Sequence, residues 1–225
     1  MAVFDSIKDR VRIEVSGCPE PFIDHKLLST IKDFCAKSGL WQFNQNFTTT
    51  KDVTNYVLVP PKGATILRLA RVRHKDSKAQ IENFVFDPIS QRLIFETAPG
   101  ADQELELTAI LKPTEEILTV EEFTYLASQE GEILVSPEGE ILTSVDASLA
   151  PLSMFATSLE EDWEETIAAG TKANLMVTPS QSYTNPEMAK IYHQEYRSGR
   201  DEARIRATQI LNERKPLKAK PQPFV

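Results

Sequence analysis

The chain predicts an α+β fold: a helical bundle built from N- and C-terminal helices, with an antiparallel β-domain (a small sandwich or barrel) inserted between them. Three observations predict it. Apolar residues recur at helical spacing towards both ends, over 23–35, 159–175 and 188–211. Between 41 and 114 the pattern changes to short alternating runs broken by turn residues. Beyond them an acidic near-repeat adds an extra β-hairpin.

The elements follow in order. Phe4, Ile7 and Val11 form a short amphipathic opening, and Cys18-Pro19-Glu20-Pro21-Phe22 breaks it. A helix over about 21–37 then carries Ile23, Leu27, Leu28, Ile31, Phe34 and Cys35 on one stripe, with Gly39 placed to terminate it. Strands follow around Trp41, Phe43 and Phe47, at Tyr56-Val57-Leu58-Val59, at 65–73, at 83–86 and 92–96, and at 104–112. Asp87-Pro88-Ile89-Ser90 joins the fourth and fifth strands as a hairpin turn.

Residues 115–156 read as an elaboration. Glu130-Gly131-Glu132-Ile133-Leu134-Val135-Ser136-Pro137 is nearly repeated by Glu138-Gly139-Glu140-Ile141-Leu142-Thr143-Ser144-Val145. Two copies are too few for a solenoid, so an acidic hairpin is the simplest reading, as a solvated ribbon or as a contact surface. Ser158-Leu159-Glu160-Glu161 then resembles a capping box, and Glu160, Glu161 and Asp162 suit a helix N-terminus, which starts the next helix at 158. Ala168-Ala169-Gly170 and Ala173 permit close helix approach, and Pro179 ends the element. Asn185-Pro186 caps a last helix that runs to 213. The expected organisation is a helical domain from 1–40 and 157–213, a β-rich insertion over 41–156, and an extended basic tail at 214–225.

Composition excludes several classes. Hydrophobic residues make up 41% and charged residues 26%, ordinary values for a globular chain. No apolar run approaches the roughly 20 residues of a membrane span, and the N-terminus does not read as a signal peptide. Cys18 and Cys35 read as reduced, core-packed thiols in a protein made in the cytoplasm. His25, His74 and His193 have no metal-ligand spacing, and the acids at 130–140 match no EF-hand. Phosphate-loop, nucleophile-elbow and HExxH motifs are missing, which leaves no catalytic constellation and no cofactor site.

The net charge of −8 hides an asymmetry. Residues 101–165 hold 17 acids and one base, Lys112, whereas the rest of the chain holds 16 acids and 24 bases. The basic residues include Arg197, Arg200, Arg204, Arg206 and Arg214 on the last helix, then Lys215, Lys218 and Lys220. Glu195, Asp201, Glu202 and Glu213 are interspersed, which disfavours sequence-specific DNA binding and leaves only weak, salt-sensitive attraction. A basic, Pro-punctuated tail with an apolar end suits docking onto a neighbour.

Residues 15–41, from Val-Ser-Gly-Cys-Pro-Glu-Pro-Phe through Asp-Phe-Cys-Ala-Lys-Ser-Gly-Leu-Trp, resemble the start of tailed-bacteriophage head-to-tail connectors (portal adaptors, or tail tubular protein A-like proteins). Ile-Ala-Ala-Gly-Thr-Lys-Ala-Asn-Leu-Met (167–176) is similar to that family's small-residue helix, and 185–204 to its long final helix. The acidic stretch 115–156 departs from the short connector that the resemblance leads one to expect. The resemblance implies a non-enzymatic virion protein of the neck, forming a homo-oligomeric ring, usually of twelve copies, under the portal. Such a ring joins capsid to tail and lines the DNA passage, with non-specific contact to passing DNA. Its partners would be further copies of itself, the portal protein, and tail nozzle, tube or fibre proteins, with no membrane. Portal docking would fall to Tyr192, Tyr196, Arg204, Arg214, Lys215, Leu217, Lys218, Lys220, Phe224 and Val225, and tail-component contact to Glu130, Glu132, Glu138 and Glu140. The competing expectation is a monomeric protein-binding or regulatory module with no virion role, its acidic hairpin serving as bait.

Overall fold

A computed structural model describes residues 4–114 and 150–212 of the chain. The element order is α1 (Asp5–Glu14), α2 (Glu20–Ser38), β1 (Gln42–Thr49), β2 (Asn55–Val57), β3 (Ala64–His74), β4 (Phe84–Asp87), β5 (Arg92–Phe95), β6 (Gln103–Pro113), α3 (Ala150–Met176) and α4 (Pro186–Leu211). The fold is therefore α+β, with helices from both ends of the chain around an inserted antiparallel sheet region. The acidic hairpin expected at 130–145 lies outside the described residues.

The β region consists of two three-stranded sheets, ordered β1-β6-β3 and β2-β5-β4, and is not one closed barrel. All pairings are antiparallel, and β6 forms the centre of the first sheet. Strand β3 is irregular against β6 between Ile66 and Arg68 and between Leu69 and Arg71, where extra residues increase its twist. Tyr56 bridges the two sheets: its ring lies 5.6 Å from Phe47 and 5.8 Å from Phe95. In the β4–β5 turn, the Asp87 carboxylate accepts from the Ile89 amide and the Ser90 hydroxyl, which fixes the expected hairpin.

One apolar core runs from the helices into both sheets. Helix α2 buries Ile23, Leu27, Leu28, Ile31, Phe34 and Cys35, the stripe read from its spacing. Gly39 ends it at φ 66°, a left-handed conformation that favours glycine, and a Cβ there would stand 3.1 Å from Ile110 Cδ1. Cys35 is fully buried, but Cys18 is only half-buried, because it sits on the turn after Gly17 and not on a core stripe.

Helix α3 begins at Ala150, eight residues before the expected start, so Ser158, Glu160, Glu161 and Asp162 lie inside it. Packing explains the difference. The Phe155 ring stacks on Trp41 at 4.3 Å and 6°, and Ala156 and Leu159 are fully buried, so the apolar face continues past the cap signal. The acids bind neighbouring helices instead of complementing a helix end. Glu160 accepts from Ser6 at 2.6 Å, Glu164 pairs with Arg10 at 2.8 Å, and Asp162 pairs with Arg206 at 3.1 Å.

Glu106, on β6, joins the ends of strands in the first sheet. Arg73 reaches its two oxygens at 2.9 and 3.1 Å, and Lys78 reaches one at 3.0 Å. These hydrogen bonds, Arg73 first and Lys78 second, lower the Glu106 carboxyl to about 2. Because the folded-state value is depressed, the stabilisation is complete above the ordinary value of 4.5 and is lost as pH falls through about 2. The site lies at the sheet surface, so solvent screening limits the effect to about 1 kcal/mol or less. Acid unfolding of Glu106→Gln is therefore expected to flatten between pH 4.5 and 2 relative to the parent. An unchanged slope in that window would show that the cluster does not couple to folding.

Candidate docking surface

Helix α4 carries the part of the expected docking surface that falls among the described residues. Asn185 caps it by accepting from the Met188 amide at 3.2 Å, and Pro186 supplies the first turn. Arg71 then donates to the Leu211 carbonyl and Gln42 to the Ala207 carbonyl at 3.0 Å, which holds the far end of α4 on the first sheet.

Of the expected portal-docking residues, Tyr196 faces inward. Its ring is buried 6.5 Å from Phe34, and its hydroxyl donates to Asp33 at 2.9 Å. Burial, then the Asp33 hydrogen bond, raise its hydroxyl well above the ordinary tyrosine value, so it stays protonated. Tyr192 is half-buried and donates to Glu14, whose other oxygen accepts from Lys172 at 2.7 Å; the Lys172 ammonium lies 5.0 Å from the Tyr192 ring. Both tyrosines hold the subunit together, and docking through Tyr196 would need a side chain that is already buried. Arg204 alone of the three is exposed. Arg214, Lys215, Leu217, Lys218, Lys220, Phe224 and Val225 lie outside the described residues, as do Glu130, Glu132, Glu138 and Glu140.

The exposed face of α4 adds two residues, Lys190 and Arg197, to the expected docking residue Arg204. Lys190, Arg197 and Arg204 repeat every seven residues, about 10 Å per step, and all three are exposed. Two neighbouring cations are already paired: Arg200 with Asp201 at 3.2 Å and Arg206 with Asp162. The row of three has no ion-pair partner among the described residues. Its seven-residue spacing is visible in the sequence once the inward side of the helix is known.

The small residues of α3 act within the subunit. A Cβ on Gly170 would lie 2.6 Å from Tyr196 Cδ2 and 2.7 Å from Thr30 Cγ2, and one on Gly199 would lie 2.2 Å from Thr166 Oγ1. Ala168, Ala169, Ala173, Ala203 and Ala207 are buried as well. The two glycines bring α3 and α4 together in one chain, and none of these small residues is free to pack against another copy.

Among the described residues, no three His, Cys, Asp or Glu side chains converge as a metal site, and no helix is long and apolar enough to cross a membrane. Burial pushes the Cys35 thiol up, which suppresses the reactive thiolate. No protein-family model matches the chain, and no curated protein matches it.

Proposed function

We propose that this chain is a head-to-tail connector of a tailed bacteriophage, a non-enzymatic structural protein of the virion neck. It is made in the host cytoplasm and assembles as a ring, of twelve copies if it follows the resemblance, between portal and tail. One observation supports the reading most. The three stretches that carry the resemblance, 15–41, 167–176 and 185–204, meet at a single packing node, where Gly170 admits Thr30 on one side and Tyr196 on the other.

The roles divide accordingly. The exposed row Lys190, Arg197 and Arg204 leads along α4 towards the basic residues Arg214, Lys215, Lys218 and Lys220, and this cationic edge faces the portal. The β-region points towards the tail nozzle, tube or fibres, and the acids of 101–165 discourage passing DNA from adhering. Size-exclusion chromatography with light scattering on portal co-assemblies tests the proposal. A multi-copy complex is expected; portal and chain eluting separately at all concentrations would contradict it.

A further inference from the structure

The cations of α4 form a row with a defined place on the helix. Lys190, Arg197 and Arg204 each follow a buried residue, Ala189, Tyr196 and Ala203. On the opposite flank, Gly199 and Arg206 meet Thr166 and Asp162 of α3, so the row lies on the side of α4 that borders α2. There Asp33 of α2 is already taken by the Tyr196 hydroxyl and by Lys37 at 2.7 Å, and Asp201 is taken by Arg200. The row spans about 21 Å of helix, and its three charges have no ion-pair partner among the described residues.

The chain path brings a polyanion to the end of that row. Residues 115–149 hold nine acids and no base. The described elements on either side of them meet at Trp41. Near the end of β6, the Leu111 amide donates to the Trp41 carbonyl at 2.9 Å, and the Thr114 amide then donates to Gly63 at 2.9 Å. At the start of α3, Phe155 stacks on the Trp41 ring at 4.3 Å. The next residue, Gln42, donates to the Ala207 carbonyl, one turn beyond Arg204. Both ends of 115–149 are therefore anchored beside the last cation of the row. Thirty-five residues have a contour of roughly 115 Å, enough to run the length of the row and return.

We infer that the α4 row is a docking site for the chain's own acidic segment 115–149, which occupies it until a partner displaces it. Charge complementarity selects an anionic occupant, and the tether selects this one. A segment joined at both ends beside its site acts at an effective concentration on the order of millimolar, which a second copy or nucleic acid in dilute solution does not reach. Nucleic acid is further opposed by the acids that surround the row's end, since 101–165 carry 17 of them. Exposed ion pairs are individually weak and screened by salt, so the contact holds in the free subunit and yields to a larger interface. The inference deepens the connector reading by adding regulation of the portal-facing edge, and it rests on that reading only for the identity of the displacing partner.

The test treats the isolated full chain, mixed from isotopically light and heavy copies, with a water-soluble carbodiimide that joins a lysine amine directly to a carboxylate. Parent chain and an Arg197→Lys variant are compared at low and high salt. Links from Lys190, and from the lysine placed at 197, to the acids of 115–149 are expected within single chains, and high salt should reduce them several-fold. Links confined to Lys215, Lys218 and Lys220, or found as light–heavy pairs, would overturn the inference, as would their absence at low salt. In a second arm, all nine acids of 115–149 are changed to their amides. Portal affinity at low salt is then expected to rise at least about threefold, and to stay unchanged when Lys190→Gln, Arg197→Gln and Arg204→Gln are also present. Equal affinity with and without the nine acids would overturn the regulation. Failure of the parent chain to bind portal at any concentration would instead overturn the connector reading, with the intrachain links still deciding the docking site.

Discussion

Gly170→Val is expected to destabilise the subunit by about 3–5 kcal/mol, a large share of the ~5–15 kcal/mol that holds most domains folded. Even the first carbon would stand 2.6 Å from Tyr196 and 2.7 Å from Thr30, and valine adds two methyls beyond it. Neither neighbour can yield cheaply. Thr30 is buried and donates to the Lys26 carbonyl at 2.9 Å, and the Tyr196 hydroxyl is held by Asp33. Removing a glycine from a helix interior returns about 1 kcal/mol at most, so the clash wins. Thermal denaturation should show the melting temperature falling by roughly 10–15 °C. A shift within about 2 °C would mean that α3 and α4 do not cross as closely as described. Because the node joins all three stretches of the family resemblance, its loss should also abolish assembly.

Deleting residues 214–225 should have the opposite signature: an intact subunit that no longer docks. The contacts that hold α4 among the described residues, through Tyr196, Ala203, Ala207 and the Leu211 carbonyl, all precede the deletion. The missing residues carry Arg214, Lys215, Lys218 and Lys220, with the apolar Leu217, Phe224 and Val225. Loss of several charged and apolar anchors at once removes about 3–5 kcal/mol of binding, more than ~100-fold in portal affinity. The check is co-sedimentation with portal at fixed ionic strength, beside a melting curve of the truncated chain. Undiminished docking or normal virion assembly by the truncated chain would remove the tail from the account.

Local signals and tertiary packing contributed unequally to what could be read in advance. The strands were legible because alternation and turn residues act locally: Asp87 closes the β4–β5 hairpin by its own hydrogen bonds, and Pro113 ends β6. Gly39 and Asn185 also act within one turn, and both cap the helices they were expected to cap. The start of α3 was not legible, because it depends on Phe155 finding Trp41 across more than a hundred residues of sequence. A capping pattern at Ser158 cannot compete with that buried stack. The candidate surface divides in the same way. Basic residues on α4 were evident, but which of them remain free depends on partners such as Asp162, and the inward turn of Tyr196 depends on Asp33. Which side of the second sheet carries Tyr56, Leu93, Phe84, Phe86 and Phe95 appears only once strand pairing is known.

The central claim is that this subunit forms the ring between portal and tail. A low-resolution electron-microscopy image of the assembled phage particle, with this subunit labelled, tests it most directly. The account predicts label in a ring immediately beneath the portal vertex, between capsid and tail. Label elsewhere on the particle, or absent from it, would contradict the account.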